Sequence, residues 1–486
     1  MTADLVIRNG LVVTPGGIVQ GGVAVDGEKI LAIGADGMLP PARRVLDAGG
    51  QYVIPGLIDA HVHMGSEEDA SIEEGLRENM PGETDGALHG GVTTFAHFAG
   101  GAGAPLVPKI RTTIQEGNRW SRVDFFLHAF IMGEDHLKEQ PEVYALGVTS
   151  FKHFFNAYKP RATEDPGFSW LGGPVDAGLL FRSLRFCARQ GSPAVGIVHA
   201  EDIDLIAVLE EEVRAAGRRD LAAWSEARPN VAEAMRIQMA IAIARVAGAP
   251  LYIAHMSTAE GADLVAAARR EGWPVWAEVG PAWLTHTADM ERDIGCWGKV
   301  NPPLRSSRDV ERLWRAIRDG GVTCLGTDHG TGGRTRAMKE KGGGKHDNIW
   351  AARAGIRGGL EHLLPIMMTF GVHAGRISIE DLVRAGATNT AKVFGLYPRK
   401  GALLPGADAD IVIVDPEREV TVTDEFYHCL CEVSIYQGWR FKGSARTTIV
   451  RGRVMMEDFE TVERPGWGRY VPRGPATRGP LPMELP

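Results

Sequence analysis

The sequence predicts an α/β fold: a (β/α)8 TIM-like barrel carrying a small β-sandwich domain formed by both chain ends. Three observations lead there. Both ends read as short strands broken by Gly turns. The middle alternates apolar, β-branched runs with stretches of helical periodicity, the mark of repeated βα units. Eight such runs can be counted, the number that closes a barrel. The chain has 486 residues, and a barrel absorbs ~250 or more while leaving room for a smaller domain.

The sandwich is assigned to residues 1–54 and 398–463. In DLVIRNGLVVT, Asn9-Gly10 between two β-branched runs signals a hairpin turn, and GGVAVDGEKILAIG repeats the signal at Asp26-Gly27. At the far end, DADIVIVDP, REVTV and RTTIVRGRVMME have the same texture. Residues 55–397 form the barrel. Its strands are read in VIPGLIDAHVH, GGVTTFAHFA, VDFFLHAFI, VTSFKHFF, AVGIVHAE, PLYIAHMS, PVWAEV and VTCLGTDH. Between the fifth and sixth, DLIAVLEEEVRAAG and VAEAMRIQMAIAIARVAG are amphipathic helices ending at Gly. The Gly- and Lys-rich stretch GTGGRTRAMKEKGGGKHDN after the eighth is read as a solvated loop, with a lid over the barrel mouth as the alternative. Ser378, followed by Glu380 and Asp381, starts a helix with an acidic first turn. Residues 464–486, rich in Pro and Gly, read as an extended tail, packed on a partner subunit or disordered.

Composition narrows the function. The chain is 44% hydrophobic and 23% charged, as globular proteins are. A net charge of −8 and no basic run argue against nucleic acid as partner. No apolar run approaches the ~18 residues of a membrane span, and the N-terminus lacks a signal-peptide pattern. The five cysteines, Cys187, Cys296, Cys324, Cys429 and Cys431, are scattered without a CxxC pair, which points to a reducing cytoplasm rather than a disulfide framework.

Polar residues sit near the C-terminal ends of the eight runs. The first ends at His61 and His63, whose i, i+2 spacing puts both on one face of a strand beside Asp59. The fourth carries Lys152, the fifth His199, the sixth His255 and the eighth Asp328. Each alone has a plain reading: a hydrogen-bonded core histidine, or a turn-capping aspartate. In a barrel, however, these ends converge on one mouth. Four imidazoles and a carboxylate suit borderline divalent metals, zinc first. Lys152 lies inside an apolar run, where a lysine is costly unless paired, neutralised or functional. Depressed in pKa by burial, it could add carbon dioxide and become a carbamate able to bridge two ions.

The motifs IPGLIDAHVH, GVTSFKHFF, VHAED, YIAHMST, KVNPPLR, GTDHG, PGADADIVIVDP and GWRFKGSARTTIVRGRV, in this order, resemble the amidohydrolase superfamily. Within it they resemble the cyclic amidohydrolases: hydantoinase, dihydropyrimidinase, allantoinase and dihydroorotase. The resemblance implies a binuclear centre with His61 and His63 on one metal, His199 and His255 on the other, and carboxylated Lys152 as the bridge. It gives Asp328 to the first metal and to proton transfer. It implies ring opening of a small cyclic amide by a metal-bridging hydroxide, in a homotetramer or dimer.

The substrate is less well marked. The Arg that dihydroorotases show soon after His-x-His is missing from HVHMGSEEDASIEEG. Tyr158 resembles the hydantoinase Tyr that meets the forming oxyanion, displaced by one position, with a surface Tyr as the plain alternative. Asn301 resembles a position presenting backbone groups to the ring, and Arg305 is read as holding its loop through salt bridges. Gly355 stands where hydantoinases place an Asn, and Ala282 and Trp283 replace expected polar or aromatic residues. Trp283 and Trp297 are read as pocket lining or as simple packing. The expected activity is therefore of the hydantoinase or dihydropyrimidinase type. The alternatives are an allantoinase or other imide or lactam hydrolase, and a non-catalytic dihydropyrimidinase-like assembly protein.

Overall fold

The computed structural model describes residues 2–65, 71–101, 105–155, 175–330, 340, 344–355, 359–423 and 427–474. Tyr158 and most of the Gly- and Lys-rich loop lie outside them. The N-terminal strands are β1 (Ala3–Thr14), β2 (Gly17–Asp26), β3 (Lys29–Gly34), β4 (Ala42–Asp47) and β5 (Tyr52–Pro55). The middle supplies β6 (Leu57–His63), β7 (Val92–Ala99), β8 (Asp124–Phe130), β9 (Ser150–Phe154), β10 (Val195–His199), β11 (Leu251–Ile253), β12 (Val275–Val279), β13 (Cys324–Leu325) and β14 (His329–Gly330). The far end gives β15 (Ile411–Thr421), β16 (Arg440–Val450), β17 (Arg453–Glu457) and β18 (Glu460–Thr461).

The terminal strands form one sheet in the order β18-β17-β16-β15-β5-β1-β2-β3, with β4 alongside β1. Its seam is the antiparallel pair β15 and β5, where Ile411 faces Pro55 and Ile413 faces Val53. Alternation explains the layer. Leu5, Ile7, Val23, Val25, Val53, Ile411 and Ile413 share one buried cluster, whereas Val6 and Ala24 face the other way into a second. The expected hairpin at Asp26-Gly27 is present, with Asp26 opposite Lys29. The one expected at Asn9-Gly10 is not. There β1 runs on through a bulge, with Asn9 at φ 55°, and the turn falls at Pro15-Gly16, between Thr14 and Gly17. Asn-Gly marks a site of permissive backbone, and a bulge uses that as well as a turn does. The bulge also needs Gly10, because a Cβ there would lie 2.6 Å from Val53 Cγ2.

The middle strands form a parallel sheet in chain order, β6 to β13, with β14 beside β6. β13 pairs with β12 and β14 pairs with β6, so the eighth run closes the barrel in two pieces separated by Gly326-Thr327-Asp328. The interior is filled by Ile58, Ala60, Ala96, Phe98, Phe126, Ile197, Tyr252 and Trp276. The helices Ile203–Ala215 and Asn230–Ala247 occupy the two predicted stretches; Asp202 caps the first at Leu205 N, and the second stops at Gly248 with φ 68°. Ser378 caps Ile379–Val383 with Asp381 in a reciprocal capping box. Among the described residues no helix is long and apolar enough to cross a membrane.

A buried ionic clasp joins the sheets. Lys400 Nζ lies 2.7 Å from Asp124, at the start of β8, and 2.6 Å from Asp410, just before β15. Asp408 lies 3.3 Å from the same ammonium, and Arg451 Nε donates to Asp124 at 3.0 Å. The described part of the tail packs on its own barrel. Phe125 N donates to Arg469 O and Val471 N to Phe125 O. Arg473 is buried over the Phe126 ring at 4.6 Å and donates to Ser150 Oγ at 3.0 Å. The sequence left this segment to a partner or to disorder, because single side chains such as Arg473 carry no periodic signal.

Candidate metal centre

The C-terminal ends of the barrel strands place most of the expected residues at one mouth. β6 ends with His61, which is buried, and His63, which is about a third exposed (31% of the side chain). Their Nε2 atoms are 3.1 Å apart. Asp328, just before β14 on the strand paired with β6, closes the group, with Oδ1 3.2 Å from His61 Nε2 and 3.4 Å from His63 Nε2. His199 ends β10, and its Nδ1 lies 3.0 Å from His255 Nε2. The two pairs adjoin, since the rings of His61 and His255 are 5.1 Å apart between centroids. Lys152, buried on β9, sits with Nζ 5.0 Å from the Phe98 ring centroid and 5.5 Å from that of Phe154. Its charge acts on His61, His255 and Asp328 alike.

Two of these residues hold unusual backbone. His255 lies just beyond β11 at φ 34°, and Asp328 lies between β13 and β14 at φ 52°. Left-handed backbone is sparsely populated by residues with a Cβ and clusters at functional sites. It turns both side chains off the strand direction and into the mouth.

Carboxylates fix the imidazole tautomers. His61 Nδ1 donates to Glu278 Oε1, and His199 Nε2 donates to Glu201 Oε2 at 2.8 Å. His61 Nε2 and His199 Nδ1 are left as lone pairs. His61 then presents a lone pair to Asp328 Oδ1, itself an acceptor. Acceptors facing one another at this distance repel unless a cation or proton lies between them. The donor set of four imidazoles and a carboxylate therefore fits a pair of divalent ions.

The electrostatics agree. Burial first, then the Lys152 ammonium, holds His61 and His255 well below the usual imidazole range, so both rings are neutral, the form a metal ligand needs. Burial acts to raise Asp328, but His61, His63 and Lys152 overcome it and hold the carboxyl at about 2. Burial lowers Lys152 to about 8, against the pull of Glu278 and Asp328. Burial likewise raises Glu278 to about 7, against Lys152, the Tyr252 hydroxyl and the His255 amide.

The other expected residues have contacts of their own. Asn301 has a buried Oδ1 without a hydrogen-bond partner among the described residues. Arg305 holds its loop, with Nη2 3.0 Å from Glu233 Oε2 and Nε donating to Ser257 Oγ at 2.9 Å. Trp283 is buried and donates from Nε1 to Pro302 O at 3.0 Å, with its ring 6.1 Å from that of His255. Trp297 is anchored through Nε1 to Glu340 at 2.8 Å. Gly355 has φ 124°, a conformation closed to the Asn expected there. Glu278 and Glu201 were not singled out from the sequence, although a glutamate inside the apolar run PVWAEV gives the same signal as Lys152. Asp59, noted only as a neighbour of the histidines, accepts from His61 N at 3.0 Å and from Thr327 N at 2.9 Å, tying β6 to the closing strand.

Known proteins share this architecture. The amidohydrolase family matches residues 241–455. The chain is 34% identical to an L-hydantoinase of Paenarthrobacter aurescens over 478 residues, covering 97% of this chain and 98% of that one. It is 33% identical to an allantoinase of Rubrobacter xylanophilus over 470 residues, covering 96% and 97%. The solved structure of the L-hydantoinase (dihydropyrimidinase) from Arthrobacter aurescens superposes with a TM-score of 0.86 at 31% identity, over 97% of this chain and 100% of that one. With its barrel, its terminal sheet and this likeness over nearly its whole length, the chain belongs to the amidohydrolase family.

Proposed function

We propose that the chain is a metal-dependent hydrolase that opens a small cyclic amide of the hydantoin or dihydropyrimidine type. The observation that carries this is the His61 lone pair set against Asp328 Oδ1 at 3.2 Å, beside the His199–His255 pair. His61, His63 and Asp328 would hold one ion and His199 and His255 the other. Zinc fits the donor types best. Near neutral pH a fraction of Lys152 is an uncharged amine, able to add carbon dioxide at Nζ and release one proton to solvent. The resulting carbamate would supply one oxygen to each ion.

Bound ions of this kind lower the pKa of water and polarise a carbonyl. The protein supplies the rest. Asp328, held ionised by its neighbours, takes the proton of the attacking water and returns it to the departing ring nitrogen. One C–N bond breaks, water is consumed, and a carboxylate and an amide or ureido group result. Tyr158 is assigned to the oxyanion and the backbone at Asn301 to the ring. Phe98, Phe130 and Phe154 line one wall of the centre with apolar rings packed 5.5 Å apart.

The allantoinase relative keeps a second reading open, in which the ring is allantoin or another imide or lactam. With every expected ligand position filled, the assembly-protein reading is not retained. Assembly into a dimer or tetramer belongs to the proposal, and the exposed Val231, Met235, Met239 and Val246 on one helix are surface it would cover. The five cysteines form no disulfide, and four of them are buried, in accord with a reducing cytoplasm. The test is a panel of hydantoin, dihydrouracil and allantoin offered to zinc- or manganese-loaded protein, with and without chelator, followed by loss of ring absorbance. Opening of one ring, abolished by chelator, supports the proposal; no ring opened by either loaded form sinks it.

A further inference from the structure

We propose that Glu278 couples the two halves of the centre, one carboxylate oxygen holding the imidazole of His61 and the main chain of His255 so that both ions are bound as a unit. The inference rests on the two-ion reading above. Glu278 is fully buried near the end of β12. Its Oε1 accepts from His61 Nδ1 and from His255 N, the latter at 3.0 Å. Its Oε2 accepts from Tyr252 Oη at 2.8 Å. One rigid group therefore orients His61 and His255, which are assigned to different ions, while the Tyr252 hydroxyl holds the carboxylate itself. The grip on His255 is on the backbone, at the residue whose φ is 34°. Losing it frees that backbone to relax and takes Nε2 away from His199.

Two further observations support this. The space for the carboxylate is reserved by Gly326, where a Cβ would lie 2.6 Å from Glu278 Oε2 and 3.0 Å from His61 Cβ. Glu201, the buried carboxylate that meets the His199 ring, has a narrower reach. It meets that ring at 2.8 Å and stands 3.8 Å from Arg228, so among the described residues its hydrogen bond goes to a ligand of one ion. Partners of ligating histidines typically change metal affinity by about 10–100-fold. Glu278 should impose that change on both ions and Glu201 on one, so Glu278 is a positioning residue for the pair.

The experiment compares wild type, Glu278→Ala, Glu278→Asp and Glu201→Ala, each loaded with zinc and dialysed against graded free-zinc buffers. Ions per chain are counted by mass spectrometry, folding is checked by circular dichroism, and the visible spectrum of cobalt-loaded protein reports ligand geometry. The expected result is that both Glu278 variants release their two ions together, at free zinc about 10–100-fold above wild type, with an altered cobalt spectrum. Glu201→Ala should release one ion early and keep the other. The Asp variant, which keeps the charge but withdraws it, gives the same readout should the Ala variant not fold. Either Glu278 variant binding one or both ions with wild-type affinity overturns the coupling while leaving the two-ion reading intact. A wild-type protein that holds fewer than two ions overturns that reading, and the coupling with it.

Discussion

His61 and Asp328 come from opposite ends of the barrel's strand order, yet His61 Nε2 and Asp328 Oδ1 stand 3.2 Å apart. They meet because β14 pairs with β6, so closure of the sheet and assembly of the centre are one event. The contact sets two acceptors face to face, and the chemistry follows from what must lie between them.

Asp328→Asn keeps an oxygen at the ligand position but can neither take nor return a proton. Turnover should fall by about 10²–10⁴-fold, the usual range for a lost general acid–base, while most of the metal is retained. Steady-state rates with metal analysis of the same sample check this. Normal turnover would remove Asp328 from proton transfer.

Lys152→Ala removes the lysine proposed to bridge the ions. The variant should lose activity and tight metal binding together, and short-chain carboxylic acids should restore part of both by standing in for the carbamate. Wild-type metal content and rate in this variant would show that Lys152 does not bridge. A carbamate should also be visible as added mass on Lys152 in protein kept under bicarbonate.

The Lys400 clasp should matter for stability and not for chemistry. Lys400 is fully buried among Asp124, Asp408 and Asp410. Removing one partner of such a group typically costs about 3–5 kcal/mol, because the remaining charges stay buried and uncompensated. Lys400→Met should therefore lower the denaturation midpoint markedly while the folded fraction keeps its ions.

Asp408 adds a pH signature to that clasp. Burial acts to raise its carboxyl, but Lys400, Lys29 and Arg399 hold it down at about 2, below its unfolded value of about 4. A depressed carboxyl contributes stability in full above the unfolded value and loses it as pH falls towards the folded one. The stability gap between wild type and Asp408→Asn should be constant above pH ~4 and close between ~4 and ~2. A gap that persists unchanged at pH ~2 would show that Asp408 gains nothing from its charge.

Much of this was readable in the sequence, for physical reasons. Strands that are buried on both faces appear as unbroken apolar runs, and any ionisable residue at their C-terminal ends stands out. That is why His61, His63, Lys152, His199, His255 and Asp328 stand out as candidates in the sequence. Glu278 gave the same signal in PVWAEV but lacked a partner in the sequence to explain it. What stayed hidden depends on contacts between distant segments. Asn9-Gly10 looked like a hairpin because a bulge and a turn ask for the same backbone. Gly326, in the break of the eighth strand, leaves room for Glu278, and no local pattern carries that. The tail's place under the barrel hangs on Tyr470, Val471 and Arg473, whose partners are hundreds of residues away.

The central claim is that two ions lie among these side chains, and anomalous X-ray scattering at the zinc edge tests it most directly. Crystals of zinc-loaded protein grown with bicarbonate should show two peaks per chain about 3.5–4 Å apart, one against His61, His63 and Asp328 and one against His199 and His255. A single peak, or peaks away from these residues, would contradict the account.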